Sequence, residues 1–287
     1  MRFIDVEKKG IKPGDYRNRS AKAEDCAELV SDSCVLKENG EVKLIYVANF
    51  TQNHDIVNAL QRIQYRKTDR SGGLVTNSRI FGWSPRVTHR KDFCSGTSLL
   101  DDFPREHGII ADYAKVVEAV YRELAPTVWL SHRDKAERIK ANWHLPESVY
   151  TSGIINKDNP LNYHFDSGNI PATFSSMLVF KKDVDGGHLN LPDYGFSIEC
   201  ADSSLVVFDG QGILHGVTPI EKKSINAFRY SVVFYTLQSM WNCLNPGEEL
   251  ARIRETKAKR ENGRYLMATG QMDVPASLRR KPRGLKK

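Results

Sequence analysis

The 287-residue chain lacks the features of a membrane protein, a disulfide scaffold or a cysteine-based zinc module. Its longest uncharged apolar runs, SSLVVF (203–208) and YSVVFYTL (230–237), are far short of the ~20 residues a spanning helix needs. The N-terminus, MRFIDVEKKG, carries charges where a signal peptide has its apolar stretch. Cysteine is scarce and odd in number: Cys26, Cys34, Cys94, Cys200 and Cys243 form no CxxC pair. That usage predicts unpaired thiols in a reducing, intracellular compartment, cytoplasmic in a microbe or virus and nuclear in a eukaryote. No internal repeat is present. A hydrophobic share of 40% with 27% charged residues excludes wholesale disorder and fibrous architectures.

The charge is unevenly placed. Overall, 42 Lys and Arg face 35 Asp and Glu, a net of +7. Residues 251–287 hold twelve of the cations against three acids, a net of +9, and the first 250 residues are close to neutral. A basic tail of this kind suits a polyanion through counterion release, and it equally suits a solvated end without a partner. Within it, Lys281-Pro282-Arg283-Gly284 resembles the core of a minor-groove AT-hook.

Three regions follow from the patterning. Residues 1–75 read as an N-terminal α/β extension packed on the rest. It holds a short helix over 20–30, a strand over 43–49 and an amphipathic helix over 55–64. Residues 76–245 carry helices over 111–124, with Val116, Val117, Val120 and Leu124 on one face, and over 129–143 as a more exposed helix. From about 150 to 237, eight short apolar or alternating runs are separated by Gly, Pro, Asn and Asp at roughly ten-residue spacing: YTSGII, LNYHFD, TFSSMLVF, GHLNLP, GFSIEC, SSLVVF, ILHGVTPI and AFRYSVVFYTL. The expected fold is mainly β with flanking helices, built on a sandwich or jelly-roll core of about eight strands. Residues 246–287 read as a flexible basic tail.

His164 and Asp166 stand two apart at the end of a strand-like run, and His215 lies 49 residues beyond Asp166 at the edge of another. Side chains two apart on a strand share a face, so the three can form the two-His, one-carboxylate facial triad that holds non-haem Fe(II) and leaves positions open. An HxD pair alone arises readily by chance in a chain with 8 His and 19 Asp, and a second copy, His132-Arg133-Asp134, falls in a charged helical stretch. Residues two apart diverge around a helix, so that copy reads as a solvated face. The 164–166 copy is followed, fourteen residues after His215, by Arg229-Tyr230-Ser231. Alternation turns Arg229 and Ser231 inward, where a guanidinium is costly unless it meets an anion such as a 2-oxo acid's far carboxylate.

This order of motifs resembles the double-stranded β-helix of 2-oxoglutarate/Fe(II)-dependent dioxygenases. The segments NPLNYHFDSGN (159–169), GGHLNLPDYG (186–195), FDGQGILHGVTPI (208–220) and FRYSVVFY (228–235) resemble the TET/JBP group, which oxidises the 5-methyl of pyrimidine bases in DNA. The resemblance spans residues 80–243 and lacks the large cysteine-rich region of the animal members, which argues for a compact microbial or viral type. It implies Fe(II) on His164, Asp166 and His215, with 2-oxoglutarate on Arg229 and Ser231 and O2 as co-reactant. It also implies Arg86 as an upstream cosubstrate contact and Asn169 as a contact to a target base flipped out of DNA. Tyr163, Phe165 and Phe174 are candidates to stack on that base. The expected activity is hydroxylation of 5-methylcytosine, with thymine as the close alternative, by a monomer that binds DNA and no membrane. Two other readings stay open: a dioxygenase acting on a protein, a nucleotide or a small metabolite, and a non-enzymatic DNA-binding module.

Overall fold

The structure is a computed structural model that describes residues 1–51, 54–69, 75–86 and 93–271. Contacts divide the chain into two compact units, Met1–Cys243 and Leu244–Lys287.

Each of the eight expected runs forms a strand. Four of them, Ser204–Phe208, Ser175–Lys182, Phe228–Tyr235 and Ser152–Lys157, lie side by side in that order within a large antiparallel region. The other four, Phe196–Ile198, Leu189–Leu191, His215–Val217 and Leu161–His164, neighbour one another in a second sheet. Successive strands thus alternate largely between two sheets, which is the jelly-roll wiring.

Period-2 alternation explains how one sheet serves two layers. Leu178, Phe180, Leu205, Val207, Val232 and Phe234 point to a core shared with helical residues Ile56, Leu60, Ile110, Ala114, Val117 and Tyr121. The intervening Met177, Val179, Val206 and Phe208 pack against Leu189, Leu191, Ile198 and Val217 of the second sheet. The odd-numbered face of Phe228–Tyr235, which carries Arg229 and Ser231, is therefore turned away from the helices.

The first 75 residues do not form a separate layer. Arg2–Asp5, Cys34–Glu38 and Glu41–Val47 extend the large sheet beyond Ser204–Phe208, while Val75–Ser84 and Arg66–Asp69 extend it beyond Ser152–Lys157. The helix expected over 20–30 is instead a single 3-10 turn, Ala23–Asp25, followed by the strand Glu28–Val30. That strand pairs in parallel with Phe196–Ile198, a partner no local pattern announces.

The helix expected over 111–124 runs from Pro104 to Leu124, and it buries His107, Ile110, Ala111, Ala114, Val117 and Tyr121 at three- and four-residue steps. Val116 is 42% exposed, so the buried stripe is rotated from the expected one. Pro126 ends this helix and starts Pro126–Ala136, shorter than the expected 129–143. On that helix His132 is wholly buried, contrary to the solvated face expected for it. Its Nε2 lies 2.8 Å from Thr236 Oγ1, and that hydroxyl donates to Val149 O at 2.7 Å.

A second correction concerns the cysteines. Cys94 and Cys243, 149 residues apart, form a disulfide, while Cys26, Cys34 and Cys200 are free and buried. The pair closes a satellite core with Trp83, Ile139, Trp143, Ile170 and Met240. In the second unit the tail expected to be flexible is helical over Pro246–Ala268. Asn245 and Glu248 cap its N-terminus reciprocally, and Lys259–Glu255 and Lys257–Glu261 pair along its surface. The AT-hook-like residues 281–284 lie outside the described residues. No helix among the described residues is long and apolar enough to cross a membrane.

Candidate metal centre and substrate cavity

His164 and His215 are register partners across an antiparallel strand pair, which brings their ring centroids to 4.3 Å. Asp166 lies past the end of its strand, so strand alternation does not place it. Its backbone N–H donates to Gly210 O at 2.8 Å, and a Cβ built on Gly210 would overlap the Asp166 carboxylate. A glycine at 210 therefore makes the room in which the carboxylate turns toward the histidines. His164 Nε2 and His215 Nε2 come within 3.7 and 3.8 Å of Asp166 Oδ1, and one ligand atom from each residue lies within 4.8 Å of the others.

The tautomers follow from the backbone. His164 Nδ1 lies 2.8 Å from Asn162 O, and His215 Nδ1 lies 2.9 Å from Ile213 O. A carbonyl only accepts, so each Nδ1 carries the proton and each Nε2 presents a lone pair. Two converging imidazole lone pairs beside one carboxylate oxygen fit Fe(II) with positions left open.

The triad lines a cavity of about 380 Å³ whose wall also includes Asn156, Asn159, Asn169, Met177, Ser231 and Tyr235. Ser231 stands on it, 3.4 Å from Asn156 Nδ2. Arg229, two residues away on the same strand, is not among the lining residues; it is 2% exposed, with Nε and one terminal nitrogen buried and without a hydrogen-bond partner. A Cβ on Gly187, whose φ is +68°, would collide with that guanidinium, so the glycine keeps its berth open. Burial pushes the Arg229 guanidinium below its ordinary pKa, and it pushes the adjacent Cys200 thiol up. A buried cation with unused donors fits an anion of the cosubstrate's kind.

Asn169 also lines the cavity, 7% exposed; its amide donates to Ser175 Oγ at 3.2 Å, and its backbone C=O accepts from Gln211 Nε2 at 2.8 Å. Arg86 follows the strand Val75–Ser84, is half-buried, and is not among the residues that line the cavity. Of the three candidate stacking rings, Phe165 is half-buried on the cavity wall. Phe174 instead stacks on Tyr121 within the helical core, while Tyr163 also lines the cavity but is fully buried, its hydroxyl donating to Asp25 Oδ2.

Sequence reasoning missed Asn156 and Asn159, which form a polar network beside Ser231. Asn159 Nδ2 donates to Asn77 O and to Ser78 Oγ, and Ser78 Oγ donates to Asn156 Oδ1 at 2.8 Å. The available signal was spacing: Asn156 stands two after Ile154, and both line the cavity. Arg17 and Asn18 were also missed, because nothing in the local pattern ties residues 17–18 to a site 146 residues away.

Residues 102–238 match the family model Tet_JBP, described as the oxygenase domain of the 2OGFeDO superfamily. Thymine dioxygenase JBP1 of Trypanosoma brucei brucei is 27% identical over 198 residues, covering 68% of this chain and 23% of that protein. The bifunctional helicase and thymine dioxygenase JBP2 of Leishmania infantum is 23% identical over 169 residues, covering 58% of this chain and 15% of that protein. The chain thus spans less than a quarter of the length of these curated relatives. A solved structure of NgTET1 in complex with 5mC DNA shares the fold, with a TM-score of 0.57 and 16% identity over 79% of this chain and 86% of that one.

Proposed function

We propose that the chain, whose residues 102–238 match the TET/JBP oxygenase domain, hydroxylates the 5-methyl of a pyrimidine base in DNA, using Fe(II), 2-oxoglutarate and O2. The observation that carries the reading is the pairing of the open His164–Asp166–His215 site with the buried, under-partnered Arg229 near the same cavity. With both bound, Fe(II) and 2-oxoglutarate supply the oxidation: CO2 is lost, one oxygen atom of O2 enters succinate, and the other enters the hydroxymethyl product.

The chain's own residues hold and exclude. Nε2 of His164, Nε2 of His215 and an Asp166 oxygen bind the metal, while Arg229 and Ser231 take the far carboxylate of the cosubstrate. Asn156 and Asn159 present amides to the same wall. A base stacked in a duplex cannot reach a metal held inside this cavity, so it enters flipped out of the stack. Asn169 offers both donor and acceptor to its edge. No side chain is required as acid or base in removing hydrogen from a methyl group.

5-Methylcytosine and thymine differ at position 4, amino against carbonyl, and an asparagine amide serves either by reversing its ends. We take 5-methylcytosine as the first reading, and thymine as the second because the curated relatives are named thymine dioxygenases. The test is nucleoside mass spectrometry after incubation with DNA containing both bases, Fe(II), 2-oxoglutarate and ascorbate. Hydroxymethylcytosine is the expected product and hydroxymethyluracil supports the second reading. The absence of both, with succinate released only on adding another substrate class, overturns the proposal. His164→Ala should form neither product and retain no iron.

A further inference from the structure

Arg17 lies outside residues 102–238 in sequence, yet it lines the cavity that holds the metal triad. The segment around it is fixed by the strand Leu161–His164, which otherwise has an open edge. Asn18 N–H donates to Tyr163 O at 2.8 Å, Tyr163 N–H donates to Arg19 O at 2.9 Å, and Ser20 bridges Asn162. Arg17 N–H closes a turn onto Pro13 O, and Asn18 adopts a φ of +65°, a conformation asparagine tolerates better than most residues. The Tyr16 ring meets Tyr163 edge-on at 5.4 Å.

The two arginines of this segment are used differently. Arg19 is paired with Asp25 and lies 4.5 Å over the Tyr16 ring, so its charge is already spent on structure. Arg17 is exposed, and among the described residues no carboxylate lies within 4.0 Å of it. A hydrogen-bonded backbone thus holds an uncommitted guanidinium at the wall of the cavity that holds the metal triad.

We propose that Arg17 is a substrate-binding residue that takes the phosphate of the nucleotide whose base enters the cavity. The inference rests on DNA being the substrate, as argued above. A base extruded toward His164 and Asp166 draws its own phosphates to the rim, and guanidinium grips phosphate with two parallel hydrogen bonds. The segment Pro13–Lys22 thereby completes the substrate site from outside the family's oxygenase domain.

The experiment measures DNA turnover by the full chain across a salt series, comparing wild type with Arg17→Ala, Arg17→Lys and Arg17→Glu. Arg17 is exposed, so the variants should fold as wild type does. For Arg17→Ala the KM for DNA should rise about 5- to 30-fold, and the slope of log affinity against log salt should fall by about one. Arg17→Lys should keep the wild-type slope with a smaller rise in KM, and Arg17→Glu should be worse than Arg17→Ala. A wild type that modifies DNA, beside an Arg17→Ala with unchanged KM and slope, overturns this inference alone. A rise confined to the KM for 2-oxoglutarate also overturns it, assigning Arg17 to the cosubstrate. No DNA product from wild type overturns the functional reading and this inference with it.

Discussion

At Arg229 a full charge sits 2% exposed with two of its nitrogens unpartnered, a state that costs free energy until an anion arrives. The RxS pattern was legible because alternation on a strand is strict, and the odd face of Phe228–Tyr235 does avoid the helical core. The position of Asp166 was legible only in outcome, since a hydrogen bond to Gly210 O, not the pleat, turns it inward. Arg229→Ala should raise the KM for 2-oxoglutarate about 30- to 1000-fold, matching a buried charge-assisted pair of ~2–4 kcal/mol. Arg229→Lys should recover part of that, because an ammonium cannot make the two-pronged contact. A parallel readout needs no turnover: 2-oxoglutarate should raise the melting temperature of Fe(II)-loaded wild type under nitrogen and leave that of Arg229→Ala unmoved. Equal KM values for wild type and Arg229→Ala would remove the residue from the cosubstrate site.

Among the elements, strands were readable where turn residues bound a period-2 run, as in SSLVVF or FRYSVVFY. They were unreadable where tertiary pairing overrode a local pattern, as at Glu28–Val30. The helices expected over 55–64, 111–124 and 129–143 gave up their existence, but the last two did not give up their facing. Nothing in WLSHRDKA distinguishes a solvated His132 from one packed between Tyr121 and Tyr150, as it is. Burial depresses its pKa to about 3, with smaller contributions from Lys135 and His144. The unfolded histidine titrates near 6.5, so below that pH the unfolded chain takes up a proton the folded one refuses. Stability is therefore full above pH 6.5 and falls toward pH 3, by about 1.4 kcal/mol per unit for one such group. The melting temperature should drop between pH 7 and pH 5. His132→Gln, whose amide can still donate to Thr236 Oγ1, should drop less steeply, leaving the slope that His107 and His144 contribute through their own burial. Parallel curves for the two proteins would show that His132 does not hold this linkage.

Across the whole molecule, the features hardest to read were those joining distant residues. Cys94 and Cys243 carry no local mark of pairing, and composition argued against it, yet they meet over a separation of 149 residues. A crosslink that long removes up to ~5 kcal/mol of unfolded-chain entropy. Reduction should accordingly lower the melting temperature by about 10 °C, and the double variant Cys94→Ala, Cys243→Ala should not respond to reductant. The charge asymmetry was legible in full, because it is a count. Its consequence is a test of the proposed partner: with a near-neutral body and +9 on residues 251–287, DNA attraction would be concentrated in the tail. If about half of its twelve cations meet phosphates, deleting 251–287 should flatten the log–log dependence of DNA affinity on salt by about five units. The truncated chain keeps every residue of the metal centre and cavity, so at low salt and saturating DNA it should still form the hydroxymethyl base. The two measurements together separate tethering from chemistry. A truncated chain with the wild-type salt slope would place the phosphate contacts on the body, and one that loses product at saturating DNA would place part of the catalytic machinery in the tail.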